Sequence, residues 1–235
     1  MSSRLPETDL ANLSFMGQDK KHQFLESFIK PKIIPGSYEP FRKILGDTFN
    51  ESLPLFGDQE FSPWDEVDKK LKRVCKGNDS LYVMNLAISR ATHAYAIENR
   101  ISAFPIDVVS MSLGGTVRYD FGLPFLVRYP DHVAVVFLDI RRSGNLSPNG
   151  RRFIFSAMHE RFRVAYPDLS EAHLEIWRFR NNSNREIVKL ESSFELITYE
   201  SLAQDVRETY EILGYVQRGY DDDRRRGTGT AGPLL

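Results

Sequence analysis

The feature that most constrains the fold is a set of apolar runs that follow one another closely. Strand-like runs lie at about 107–113, 116–128 and 133–141, and Gly114-Gly115 separates the first two. Connections this short cannot hold the helical crossover that parallel strands require, so antiparallel neighbours are expected here. Two further runs, at about 173–180 and 186–191, are joined by the polar turn N-N-S-N, which is typical of a hairpin.

Helical periodicity surrounds these strands. Apolar residues recur at steps of three and four over 81–100, and further helices are predicted at about 148–165 and 199–213. The order helix, three strands, helix, two strands, helix predicts an α/β fold, a mixed-sheet three-layer sandwich. The Pro- and Gly-punctuated region before it predicts an N-terminal helical lobe. The predicted division is a mobile N-terminus (1–20), the helical lobe (21–78), the α/β domain (79–216) and a disordered tail (217–235).

Two of the apolar strands carry an aspartate among Val, Phe, Leu and Tyr. They are Asp120 and Asp139. A buried carboxylate without compensation costs several kcal/mol (on the order of 2–7 for a polar group) or takes up a proton. An arginine partner, a hydrogen-bond network or a metal ion can provide that compensation, and the choice among them decides whether the protein is an enzyme.

The arrangement resembles the restriction-endonuclease-like superfamily, also called the PD-(D/E)xK nucleases, over about residues 80–180. A helix ending in Glu98 precedes a hairpin with Asp120 on its second strand, and Asp139-Ile140-Arg141 occupies the place of the acidic-x-Lys triplet. The resemblance implies the fold of that superfamily and a nuclease that uses Mg2+. Asp120 and Asp139 would bind the ion, Glu98 would be a third ligand or bind a metal-bound water, and Arg141 would stabilise charge.

Arg141 departs from that pattern, which usually has lysine. Alternate residues of a strand point to the same face, so Asp139 and Arg141 are expected on one side of the sheet. The planar guanidinium stays protonated and favours a direct pair with a carboxylate. Without a metal, Asp139–Arg141 and Asp120–Arg118 would be structural ion pairs, and both alternatives remain open from the sequence.

Basic residues follow the triplet and continue along the next predicted helix. Such a rim could bind phosphate groups, although a solvated helix face explains the same pattern. His159 is a candidate general base but is more simply a hydrogen-bonding residue. The candidate nucleic-acid-binding residues are Arg142, Arg151, Arg152, His159 and Arg163. On the strand beyond them, Glu175 and Trp177 share one face, and Trp177 is expected to pack beneath the last helix.

Charge and composition exclude several classes of protein. The 31 basic and 32 acidic residues nearly cancel, so overall charge indicates no polyanionic partner, although residues 118–180 hold ten arginines, no lysine and seven acids. The single Cys75 excludes an internal disulfide. No apolar run approaches the ~20 residues of a membrane span, and no signal peptide is recognisable, which predicts a cytoplasmic protein without a membrane partner.

Two main functions follow from these observations. The first is a metal-dependent nuclease that hydrolyses nucleic acid. The second is a non-catalytic domain of similar fold that binds a partner protein or nucleic acid, or a second copy of itself, and the arginine at position 141 and the neutral overall charge favour it. A small-molecule enzyme that holds an anionic substrate with its arginines is a third possibility, unsupported by any nucleophile or cofactor motif.

Overall fold

The chain folds around a five-stranded sheet. The computed structural model describes residues 5–30, 37–49, 61–105, 111–113, 118–119, 125–192 and 195–227. Its strands are β1 (Ser102–Pro105), β2 (Met111–Ser112), β3 (Arg118–Tyr119), β4 (Phe125–Arg128), β5 (Val133–Asp139), β6 (His173–Phe179) and β7 (Ile187–Glu191). The main sheet has the order β1-β4-β5-β6-β7, and β2 and β3 form a separate two-stranded sheet.

Eight α-helices lie in the described part of the chain. They are α1 (Glu7–Leu13), α2 (Gln18–Ile29), α3 (Glu39–Lys43), α4 (Leu45–Phe49), α5 (Trp64–Cys75), α6 (Asp79–Glu98), α7 (Pro148–Met158) and α8 (Tyr199–Gly227). A π-helical turn, His159–Val164, continues α7, and a 3-10 turn covers Pro167–Leu169. Helices cover both faces of the sheet, so the predicted α/β class with a mixed sheet is confirmed.

The two long helices on either side of the central strands begin at side-chain caps. The amide oxygen of Asn78 accepts a hydrogen bond from the Leu81 backbone N–H at 2.9 Å, which starts α6. The hydroxyl of Ser147 accepts one from Gly150 N–H at 3.0 Å, with Pro148 in the first turn of α7. Both devices satisfy backbone donors that have no partner inside the helix, and they fix where each helix starts.

Among the described strands of the main sheet, only one pair is parallel. β5 and β6 run side by side from Ala134↔His173 to Asp139↔Arg178, and α7 lies in the crossover between them. The other pairs, β1–β4, β4–β5 and β6–β7, are antiparallel. The short links before β5 therefore give antiparallel neighbours, as their length predicts.

Alternate residues of the central strands supply two separate cores. Val135 and Phe137 pack in a core with α1, α2, α7 and α8, which we call the α7 face. Val136 and Trp177 pack in a core with α3, α4 and α6, which we call the α6 face. Trp177 is fully buried against Tyr95 of α6, with ring centroids 4.9 Å apart, so its expected position beneath the last helix is wrong.

Several predicted boundaries differ from the structure. The run predicted as one strand over 116–128 contains β3 and β4, which belong to different sheets. The last helix extends to Gly227, whereas the sequence predicts an end near 213. The segment 1–20, predicted to be mobile, contains α1, whose Leu10 and Leu13 are buried in the α7-face core. The division into domains stays a prediction.

No helix among the described ranges combines the length and apolar composition that crossing a lipid bilayer requires.

A buried ion pair holds the N-terminal helices on α8. The Nζ atom of Lys21, on α2, lies 2.6 Å from Oδ1 of Asp205, on α8, and the two side chains are 2% and 8% exposed. The same oxygen accepts a hydrogen bond from the backbone N–H of Phe15 at 3.0 Å. Phe15 has a positive φ of 57°, so Asp205 also fixes an unfavourable turn between α1 and α2.

We expect Lys21→Met to destabilise the protein strongly. Methionine preserves most of the side-chain volume but leaves Asp205 as an uncompensated buried charge, which costs about 3–5 kcal/mol. The free energy of unfolding, measured by urea denaturation, is the readout. Lys43→Met is the matched control, because Lys43 pairs with Glu39 on an exposed surface, and it should leave the unfolding midpoint unchanged. Equal effects of the two substitutions would contradict the assigned role of the Lys21–Asp205 pair.

Candidate functional site

Asp139 ends β5 in a buried position on the α7 face. It follows Val135 and Phe137 at intervals of two, and its side chain is 1% exposed. Oδ2 accepts a hydrogen bond from the Leu146 backbone N–H at 3.1 Å, whereas Oδ1 has no hydrogen-bond partner among the described residues. Burial raises the pKa of Asp139, although the Leu146 hydrogen bond and the nearby Arg141 and Arg178 charges oppose the shift. Within the described part of the chain, one backbone hydrogen bond and burial therefore make up the environment of this carboxyl group, and no arginine pairs with it directly.

Arg141 pairs with a residue that the sequence does not bring near it. Its Nη1 atom lies 2.7 Å from Oδ1 of Asp9 on α1. Arg141 therefore holds the N-terminal helix against the end of β5, and the expected Asp139–Arg141 ion pair is replaced by Arg141–Asp9. Arg141 and Asp139 both line a cavity of about 240 Å³ beside α1.

Glu98 lies on the other face of the sheet. It is exposed near the end of α6, and it lines a groove of about 650 Å³ together with Val83, Tyr95 and Arg142. Because α6 covers the opposite face from Asp139, the structure does not bring Glu98 and Asp139 together. Asp120 lies outside the described residues. The assignment of Asp120, Asp139 and Glu98 to a Mg2+ site therefore stays a prediction.

The predicted basic rim divides among several environments. Arg152 and Arg163 donate from Nε to the backbone carbonyls of Glu195 and Ala172, each at 2.7 Å. Arg151 and His159 are half-buried, and each has a buried ring or guanidine nitrogen without a hydrogen-bond partner. Arg142 is exposed beside the α6 groove. The bonds of Arg152 and Arg163 tie α7 and its π-helical turn to neighbouring loops, and a nucleic-acid-binding role for this set stays a prediction.

A second polar cluster lies at the opposite end of the central strands, on the α6 face. Glu175 of β6 is completely buried. Its Oε2 accepts hydrogen bonds from the hydroxyl of Tyr129 and the indole N–H of Trp177, both at 2.8 Å. Its Oε1 faces Nε2 of His132 at 3.6 Å and Nζ of Lys189 at 3.3 Å. The sequence interpretation noted the position of Glu175 but missed this cluster.

Strand geometry explains why these residues meet. His132 ends the turn between β4 and β5, and His173 opens β6, which runs parallel to β5. Residues 173 and 175 lie on the same face because strand side chains alternate. The sequence signal is therefore a histidine before one strand and H-x-E at the start of another, and it becomes recognisable only once the two strands are known to be neighbours.

Burial and charge shift the pKa values around this cluster. The pKa of Tyr129 is raised far above its usual range, first by burial and then by the adjacent Glu175 carboxylate. The pKa of Lys189 is raised because its bond to Glu191 and the charge of Glu175 outweigh its burial. Tyr129 therefore remains a neutral hydrogen-bond donor, and Lys189 remains the cation that compensates the buried Glu175.

Comparison with known proteins establishes the class of the chain. Residues 8–222 match the family model described as "Sliding clamp-binding bacterial toxin SocB", so the chain belongs to the SocB family of bacterial toxins. The DNA replication inhibitor toxin SocB of Caulobacter vibrioides (strain NA1000 / CB15N) is 30% identical over 234 residues, which cover 97% of this chain and 96% of that protein. No solved structure matches the chain significantly.

The family match overturns the resemblance to the restriction-endonuclease-like superfamily. The prediction of a nuclease, and of a hydrolase in general, is wrong, because the matching family and relative are described as a clamp-binding, replication-inhibiting toxin. The error has a physical origin in the short acidic-x-basic pattern of Asp139 and Arg141. That pattern fits a buried carboxyl group followed by an arginine that pairs with α1 as well as it fits a catalytic triplet.

We expect Asp139→Asn to change how stability depends on pH. The carboxyl group of an unfolded chain loses its proton near pH ~4, whereas the folded one keeps it to higher pH. Above pH ~4 the folded state therefore binds more protons, and the parent loses stability as pH rises through this window. Asparagine cannot ionise and can still accept the Leu146 hydrogen bond, so the stability of the variant relative to the parent should increase with pH.

Urea unfolding at pH 4.5 and pH 7.5 measures this difference. Glu191→Gln provides the matched control, because the hydrogen bond from Lys189 lowers the pKa of Glu191. A lowered pKa changes stability mainly below the unfolded value of about 4.3, so the relative stability of this variant should stay nearly constant over the same interval. A relative stability of Asp139→Asn that is constant or decreases with pH would show that the ionised carboxylate is the favoured form in the folded protein.

Proposed function

We propose that this protein inhibits bacterial DNA replication by binding the sliding clamp, and that it acts as a non-catalytic binding protein. The observation that carries the proposal is the family match over residues 8–222, together with a relative that is named a DNA replication inhibitor toxin and aligns over nearly the whole of both chains. Because replication takes place in the bacterial cytoplasm, that compartment is its proposed site of action.

The geometry at Asp139 supports a binding function over catalysis. A hydrated Mg2+ ion needs accessible carboxylates and keeps several waters. Asp139 is 1% exposed, with a pKa raised by burial, and Arg141 is engaged with Asp9. These groups hold α1 and the loop before α7 on the sheet, so their role is structural.

Direct binding to a bacterial sliding clamp tests the proposal. The purified full-length chain, mixed with the clamp of Caulobacter vibrioides, should elute as a complex in size-exclusion chromatography and give a saturable signal in calorimetry. Its expression in that bacterium should stop incorporation of labelled thymidine. The same gene with a stop codon at position 64 is the matched control, since its transcript is nearly identical but yields no folded protein.

Asp139→Asn separates the two functional classes. A binding protein should retain clamp binding and inhibition of DNA synthesis in this variant, because the Asp139 side chain is buried and does not form part of the protein surface. The parent should leave supercoiled plasmid intact in the presence of Mg2+ or Mn2+. Absence of a clamp complex together with uninhibited DNA synthesis would refute the proposed function, and metal-dependent plasmid cleavage that Asp139→Asn abolishes would restore the enzymatic alternative.

A further inference from the structure

His132, His173 and Glu175 form a group that can hold a metal ion. One ligand atom from each side chain lies within 4.8 Å of the other two, and His132 Nε2 and Glu175 Oε1 are 3.6 Å apart. Tetrahedral Zn2+ has bonds of about 2.0–2.2 Å to nitrogen and oxygen, which places its ligand atoms about 3.4 Å from each other. The three groups are therefore close to coordination distance before any ion is added.

Two of the three ligand atoms, His132 Nε2 and Glu175 Oε1, are buried and have no hydrogen-bond partner among the described residues. The Glu175 side chain is fully buried, and the ammonium group of Lys189 lies 3.3 Å from Oε1 as its ion-pair partner. Buried polar atoms without partners are rare in folded proteins because each carries a desolvation cost. Here His132 Nε2 and Glu175 Oε1 lie 3.6 Å apart, which is close to the separation of two ligand atoms on one tetrahedral Zn2+ ion.

The surrounding residues orient the ligands in the manner of a metal site. The Nδ1 atom of His132 lies 2.8 Å from Oδ1 of Asp131, which favours the tautomer with a proton on Nδ1 and a free lone pair on Nε2. Histidines that bind metals commonly donate their other N–H to a carboxylate in this way. The His132 ring is also stacked on the Tyr129 ring, with the ring centroids 4.3 Å apart. Hydrogen bonds from Tyr129 and Trp177 fix the second carboxylate oxygen of Glu175.

Lys189 is the competitor of a metal ion at this position. Its ammonium group lies 3.3 Å from Glu175 Oε1 and 2.8 Å from Oε1 of Glu191. An ion that binds Glu175 takes over the compensation of its charge, and Lys189 keeps Glu191 as a partner. The site can therefore exchange one cation for another without leaving either Glu175 or Lys189 unpaired.

From this arrangement we infer that His132, His173 and Glu175 bind one divalent transition-metal ion of the Zn2+ class. Two imidazoles and one carboxylate suit Zn2+ and leave its fourth position to water, whereas Mg2+ prefers oxygen ligands alone. The ion would link the β4–β5 turn to the start of β6. The inference is independent of clamp binding, since it concerns ligand chemistry within the chain.

Titration of the untagged full-length protein with Zn2+ tests the inference. Calorimetry should show one bound equivalent, Co2+ should give the visible absorption bands of a low-coordination site, and Mg2+ should do neither. His173→Ala should weaken Zn2+ binding about tenfold or more and should leave the fold intact, because His173 is exposed. His22→Ala is the matched control, because His22 is another histidine next to a carboxylate, with a side chain that is 40% exposed, and this variant should bind Zn2+ as the parent does.

Two further variants separate a metal site from an ordinary ion pair. Asp131→Asn should lower Zn2+ affinity by about 10–100-fold through its effect on His132. Lys189→Met should raise the affinity, because it removes the competing cation. Zn2+ should raise the melting temperature of the parent but not of His173→Ala. Absence of a one-equivalent site, or Zn2+ binding that His173→Ala leaves unchanged, would overturn the inference and leave Glu175 as the partner of Lys189 alone.

Discussion

The parallel pairing of β5 with β6 is the constraint on which the rest of the structure depends. These strands lie at the centre of the sheet and are buried on both faces, so each must supply apolar side chains to two cores. Val135 and Phe137 face α7 and α8, and Val136 and Trp177 face α6. The connection from β5 to β6 contains α7. Because parallel strands need such a crossover, α7 covers the face of the sheet over which this connection passes.

Polar groups on these strands are compensated in different ways at the two ends. Asp139, at the end of β5, is held by a backbone N–H and by burial that raises its pKa. Glu175, near the start of β6, accepts hydrogen bonds from Tyr129 and Trp177 and lies beside the ammonium group of Lys189. Burial thus raises the pKa of Asp139, whereas hydrogen-bond donors and an ammonium group surround Glu175. The side chains suited to binding a ligand are therefore grouped around Glu175, and not around Asp139, which the sequence analysis singled out.

The sequence predicts the helices and strands that have a clear periodicity. It does not predict which residues distant in sequence contact each other in the fold. The runs at 133–141 and 173–180 correspond closely to β5 and β6, because apolar residues and bounding turns define them locally. The partner of Arg141 could not be predicted, since Asp9 is 132 positions away and belongs to a segment that looks polar and mobile. The convergence of His132 with Glu175 requires the parallel register, which no local pattern encodes. The family became recognisable only from similarity along the whole chain.

The polar network around Glu175 explains how the protein can hold the proposed metal ion and still fold without it. A buried carboxylate needs a cation at all times, because leaving it unpaired costs several kcal/mol (about 3–5 for a broken buried pair). Lys189 meets that need in the metal-free protein and is itself retained by Glu191. A metal ion would therefore not be required for folding. Its effect would be to tie the β4–β5 turn to β6, at the end of the sheet opposite to Asp139, and to stabilise this edge of the α6 face.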